Sequence, residues 1–134
     1  MYDRNCLFPR YIELLRDIGV DIVELSGNHN VDWGTTAAYL SLDMYDQEGW
    51  PHFAGGRDEV DAATPLTLTD HGNTFVFLGC NPVGPAYGWA GPNYPGARAC
   101  SYPQDDMYAQ VRAARNAGYI PIVTWQYWEI YDYA

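Results

Sequence analysis

One pattern constrains this chain more than any other, because it is written twice. A helical segment stops at a glycine, a short apolar strand follows, and the strand empties into a polar motif. The first copy runs through Gly19 and Val23 to Asn28, and the second runs through Gly118 and Val123 to Gln126. β-Branched apolar runs between helices read as strands of a largely buried parallel sheet. Ligands of open α/β sheets bind outside the carboxyl ends of the strands, so the two polar clusters are expected on one rim. With 134 residues there is room for one core, and a single α/β domain over residues 1–134 is the expectation.

The elements between these copies follow from local chemistry. Pro9 to Ile18 predicts a short amphipathic helix with Tyr11, Leu15 and Ile18 on one face and Gly19 as its stop. Val20 to Leu25 predicts a strand. Thr35 to Glu48 predicts a second helix, with Ala37, Leu40 and Met44 inward, Thr35 or Thr36 as the cap, and Gly49 as the end. A brief strand at His52 to Ala54 leads to Gly55-Gly56. Pro65–Thr69 and Thr74–Leu78 predict a hairpin turning at Asp70-His71-Gly72-Asn73. From Asn81 to Pro103 glycine, proline and aromatics crowd together without periodicity, which predicts a long ordered loop acting as a lid. Gln104 to Ala117 predicts a helix with Met107, Val111 and Ala114 on one face, and Tyr119 to Trp125 the last strand.

Composition excludes some partners. The formal net charge is −10, which would repel a phosphate backbone, so nucleic acid is not an expected partner. The 48% hydrophobic content argues for a folded chain rather than a disordered one. No apolar stretch approaches the roughly 20 residues of a membrane-spanning helix. Cys6, Cys80 and Cys100 are odd in number and widely spaced, and they are expected to be ordinary buried thiols.

At the first rim motif the residue types carry chemistry. Gly27 permits a sharp turn after the strand, the Asn28 carboxamide oxygen can coordinate a divalent cation, and the His29 imidazole can give a proton to a leaving oxygen. The same letters also make an ordinary Asn-containing turn with a hydrogen-bonded histidine. At the second motif Gln126 can supply an oxygen ligand and Glu129 a carboxylate, or either can hydrogen-bond to a ligand instead. His52 and His71 read as hydrogen-bonded or solvated, Asp105-Asp106 as partners of a helix dipole, and Asp58, Glu59 and Asp61 as a solvated acidic turn.

The run Gly27-Asn28-His29-Asn30-Val31-Asp32-Trp33-Gly34 resembles the N-H-x-x-D-x-G signature of the CapA-type poly-γ-glutamate capsule biosynthesis family, within the calcineurin-like metallophosphatase superfamily. Phe53-Ala54-Gly55-Gly56 is similar to that family's glycine turn, and Phe75 to Gly79 is similar to its apolar strand. The resemblance covers about Pro9 to Glu129. It implies a metallophosphatase-like layered sandwich and a metal-dependent hydrolase acting on a phosphorylated or polymeric substrate at the cell envelope. Asn28, with Gln126, would hold a divalent metal such as manganese, zinc or iron. His29 and Glu129 would be catalytic, supported by Gly27, Asp32 and Gly34. The family's opening Gly-Asp motif has no counterpart before Pro9, so the chain is expected to be a partial domain. The later motif, His-Trp-Gly-x-Glu-Tyr in the family, reads Gln126-Tyr127-Trp128-Glu129-Ile130-Tyr131 here and lacks its histidine. A second expectation follows from that departure: a non-catalytic module that binds a polymer or glycan through Trp33, Trp89, Trp125 and Trp128.

Overall fold

The computed structural model describes residues 9–100 and 105–127. The expectations for Cys6, Trp128 and Glu129 concern residues outside that range.

The architecture is α/β. Helix α1 (Pro9–Asp17) leads to strand β1 (Val23–Glu24), then α2 (Thr35–Glu48), β2 (His52–Phe53), β3 (Gly55–Gly56) and the short α3 (Glu59–Ala63). The hairpin β4 (Leu66–Asp70) and β5 (Asn73–Cys80) follows, then β6 (Gly96–Ala97), α4 (Asp105–Asn116) and β7 (Ile120–Trp125). Three ladders result: β1 parallel to β2, β3 antiparallel to β6, and a three-stranded sheet ordered β4-β5-β7. Within the last, β4 and β5 are antiparallel while β5 and β7 run parallel. The expected hairpin is present, and its two-residue turn works because His71 and Gly72 both take positive φ, at 47° and 81°.

One expectation needs correction here. The strands bearing the two rim motifs do not lie in one sheet, because β1 pairs with β2 while β7 pairs with β5. They are joined across the two ladders instead. The rings of Phe53 on β2 and Phe77 on β5 stand 5.5 Å apart, and a Cβ built on Gly79 would come within 2.6 Å of the Ala54 methyl. Glycine at 79 is therefore what lets the two layers approach. On the other side of β5 lies the core: Val76, Leu78 and Cys80 pack with Met107 and Ala114 of α4, and Val111 and Val123 join them. That is the α4 face expected from the sequence.

Helix ends follow their glycines. At the end of α1 the Gly19 and Val20 amides donate to Arg16 and Leu15, and at the end of α2 Gly49 and Trp50 donate to Asp46 and Tyr45. Each glycine sits at positive φ, about 70°, which closes the last turn and satisfies carbonyls otherwise left open. The helix faces are rotated from expectation. Among the described side chains of α1 Ile12 is buried, and Ile18 just beyond the helix is exposed; in α2 Ala38 and Leu42 are buried and Leu40 is exposed. No threonine side chain caps α2, where Gly34 at φ 85° occupies the N-cap.

The long loop, described over residues 81–100, turns inward. Asn81, Pro95, Ala97 and Arg98 are buried in it. The expectation of free thiols is wrong as well: Cys80, at the end of β5, and Cys100 form a disulfide that closes the loop at its base. Their separation of 20 residues carried no sequence motif to announce it.

Candidate functional site

Strand β1 ends at Glu24, and the chain then makes a tight double turn through residues 28–33 before α2 begins. The Asp32 amide donates to the His29 carbonyl and the Gly34 amide to the Val31 carbonyl. Val31 is buried and pins the turn from below. The Asn30 carboxamide nitrogen donates back to the Leu25 carbonyl. These bonds present His29 and Trp33 to solvent, with Trp33 77% exposed.

His29 is the best-organised polar group on the rim. Its Nδ1 lies 2.7 Å from Asp32 Oδ2, and its side chain is 67% exposed. A carboxylate on Nδ1 fixes the ring and leaves Nε2 facing outward, the arrangement in which a histidine can move a proton. Asp32, expected only as a supporting residue, is therefore the direct partner of the imidazole.

The ends of the two motif-bearing strands are joined by a carboxylate. Glu24 Oε1 accepts from the Ser26 amide at 3.0 Å and from Thr124 Oγ1 at 2.8 Å, linking the end of β1 to the end of β7 across 100 residues of sequence. Sequence reasoning passed over Glu24 because it looks like a solvated strand residue. At the end of β7 the Gln126 amide nitrogen donates to the carbonyl of its neighbour Tyr127 at 3.0 Å. Among the described residues no three His, Cys, Asp or Glu side chains converge as metal ligands. Asn28 and Gln126 can each offer a carboxamide oxygen, which is fewer donors than a divalent ion takes.

The remaining candidates are structural. Asp58 caps α3 by accepting from the Val60 and Asp61 amides, both at 2.9 Å. Asp61 accepts from the Arg57 amide at 2.8 Å and faces His52 Nε2 at 3.4 Å. The acidic turn is thus a bonded cap rather than a solvated one. Asp106 receives the guanidinium of buried Arg98 at 2.6 Å, which holds its carboxyl below the usual range. His71 pairs with its neighbour Asp70 on an exposed turn.

A cavity of about 260 Å³ opens beside the histidine. Leu25, His29, Trp33, Ser41, Tyr45 and Pro95 contribute to its wall. Burial pushes the Tyr45 hydroxyl above its ordinary pKa, so that it stays a neutral donor.

With this geometry in view, the sequence comparison is decisive: the model of the bacterial capsule synthesis protein family, PGA_cap, matches residues 4–134. The chain belongs to that family. Comparison with individual curated proteins gives no match. The CapA-type resemblance carried by Gly27 to Gly34 therefore stands, and the turn just described is the segment of this family member that bears it. No helix among the described residues is long and apolar enough to cross a membrane.

Proposed function

We propose that this capsule-synthesis protein carries a hydrolase-type site of the metallophosphatase kind at the rim where β1 and β7 end, with His29 as its proton-transferring residue. The observation that carries this reading is the His29–Asp32 pair at 2.7 Å, exposed at the mouth of a cavity. A histidine held through Nδ1 gives a proton from Nε2 to the oxygen leaving a phosphoryl or acyl centre, and takes one back from the incoming hydroxyl. Asp32 keeps the ring in register. The layered metallophosphatase-like sandwich belongs to this proposal, supported by the approach of β1–β2 to β5–β7 through Gly79. A divalent metal belongs to it too. Asn28 and Gln126 would each offer one carboxamide oxygen, the remaining donors coming from outside the described residues. When bound, such an ion would polarise the substrate and lower the pKa of its water.

The test is hydrolysis of p-nitrophenyl phosphate and bis(p-nitrophenyl) phosphate with and without manganese. Turnover is expected to fall 10²- to 10⁴-fold in His29→Ala, with a smaller loss and a changed pH profile in Asp32→Asn. Equal turnover in wild type and His29→Ala would remove His29 from the chemistry. Calorimetric titration of manganese into wild type and Asn28→Ala tests the metal separately.

A second reading is favoured by a specific observation. The described rim has no three-ligand cluster, yet it holds an exposed indole beside a cavity, which suits a non-catalytic module that binds a polymer or glycan. The Cys80–Cys100 disulfide suits either reading at the cell envelope, since such bonds persist in oxidising compartments.

A further inference from the structure

The Cys80–Cys100 disulfide sits beside the backbone supports of both rim motifs. Cys80 ends β5 and pairs in register with Trp125, the last residue of β7. Its carbonyl accepts the Gln126 amide at 3.2 Å, so the second motif begins on the backbone of a bonded cysteine. The neighbouring Asn81 holds the return of the loop: its amide donates to the Arg98 carbonyl at 2.7 Å, and its carbonyl accepts the Cys100 amide at 3.2 Å.

The first motif is reached through the same residue. Asn81 Oδ1 accepts from the Val83 and Gly84 amides, both at 2.9 Å, which sets the entry to the helical turn at Ala86–Gly88. A Cβ built on Gly88 would stand 3.5 Å from the Asn28 carbonyl oxygen and 3.7 Å from Val31 Cγ2, so the loop backbone packs against the rim turn. The rest of the loop has its own anchors. Gly96 and Ala97 pair with β3, the Arg98 amide donates to the Ala54 carbonyl at 2.8 Å, and the Arg98 guanidinium donates to Asp106. Opening the disulfide therefore leaves the loop attached at its middle and loosens its base at residues 80–84 and 99–100. The two cysteines also differ in access: Cys80 is 1% exposed, whereas Cys100 is half-buried. An incoming thiolate meets Cys100 first.

We infer that Cys80–Cys100 is a thiol–disulfide exchange site, opened by a dithiol reductant, whose redox state sets the order of both rim motifs. One thiolate of the reductant bonds to Cys100 Sγ, the Cys80–Cys100 bond breaks, and Cys80 leaves with the electron pair and takes a proton from water. The second thiolate of the reductant then displaces Cys100, which is protonated in turn, and the reductant departs as its own disulfide. Two electrons have passed from the dithiol to the protein. In the oxidised state the Cys80 carbonyl and the Asn81 turn hold Gln126 and Asn28 as described; in the reduced state both supports relax. The consequence for turnover rests on the reading of this rim as a hydrolase site, whereas the consequence for its order does not.

The test uses the whole chain carrying Cys6→Ser, so that no third thiol can exchange. Dithiothreitol in native buffer is expected to open the bond, counted by mass as two alkylated cysteines, with far-UV circular dichroism unchanged. The amide resonances of Asn28, His29 and Gln126 are expected to move on reduction and to return on reoxidation, while those of Thr67 and Thr74 in the hairpin hold. Turnover of p-nitrophenyl phosphate is expected to fall at least tenfold and to recover with them. Adding Cys80→Ser and Cys100→Ser should reproduce the reduced-state resonances and abolish the response to dithiothreitol. A bond that opens only at urea concentrations that unfold the chain overturns the inference, because it is then a structural crosslink alone. A reduced chain that loses its circular dichroism overturns it too, as do Asn28 and Gln126 resonances that stay in place. Resonances that move in a protein without turnover in either state would remove the hydrolase and leave the switch standing.

Discussion

The turn at residues 25–34 and the clamp at residues 80–100 are both irregular, rich in glycine and polar groups, yet they treat those groups in opposite ways. In the clamp, polar side chains are buried and face inward. Asn81 is fully buried and its Oδ1 accepts from the Val83 and Gly84 amides, both at 2.9 Å. Arg98, 5% exposed, is bonded to Asp106 and Gln110, and a disulfide closes the base. In the rim turn His29, Asp32 and Trp33 are exposed, and the His29–Asp32 pair engages only one ring nitrogen. Buried polar groups must be satisfied within the fold or they cost stability, so the clamp's polarity is spent on structure. The rim's polarity is available to a ligand. The single described buried side-chain polar atom without a partner, Trp89 Nε1, lies in the clamp and marks its least complete corner.

That contrast breaks most readily at the disulfide. Cys100→Ser is expected to destabilise the chain by about 3 kcal/mol, the loop-closure value for a crosslink of this span, read as a lower urea midpoint. A midpoint unchanged from wild type would mean that the bond does not hold the clamp. Next is Arg98→Met, which removes two charge-assisted bonds and leaves Gln110 short of a donor, at a cost of about 2–3 kcal/mol. Arg98→Lys should recover only part of that, since an ammonium cannot reproduce the guanidinium fork. Asn81→Ala comes third. It strands the Val83 and Gly84 amides inside the protein and costs about 1–2 kcal/mol.

The rim side of the comparison predicts the reverse balance. His29→Ala and Asp32→Asn are expected to change unfolding free energy by no more than about 0.5 kcal/mol, as exposed substitutions generally do, while altering turnover or its pH profile. A large loss of stability in either variant would move the pair from the rim's chemistry into its scaffolding.

The same contrast explains what the sequence made legible. The hairpin, the glycine-stopped helices, the α4 face and the signature turn depend on nearest-neighbour chemistry: positive-φ glycines, 3.6-residue spacing, a two-residue turn. They could be read residue by residue. The shift from Leu40 to Ala38 and Leu42 in α2 could not, because Ala37, Leu40 and Met44 are as plausible a stripe until the neighbouring layer is known. The approach of the β1–β2 and β5–β7 ladders depends on Gly79 admitting Ala54, a contact between distant segments. Glu24, Arg98 and the Cys80–Cys100 bond owe their roles to partners 8 to 100 residues away, and no local pattern distinguishes them. Asp32 is intermediate: its spacing from His29 allowed the pairing, and the turn was needed to bring it about.

The smallest effect is one of pH, and it tests the boundary between the two regions at a single carboxylate. Asp106 is bonded to Arg98, and that bond, more than any other influence, lowers its folded pKa. A lowered folded pKa means that the unfolded chain binds the proton more readily, so the stabilisation is complete above the unfolded carboxylate value of about 3.9. It is lost as pH falls through the folded value. The Asp106 side chain is 60% exposed, so solvent screening keeps the effect small. The stability difference between wild type and Asp106→Asn should stay constant from pH 7 to pH 5 and shrink by pH 3 in urea unfolding. A difference that persisted undiminished at pH 3 would show that Arg98 is held by Gln110 and burial alone, with the carboxylate a bystander. The clamp would then be a neutral structure built around one charge, and its contrast with the acidic rim would be sharper still.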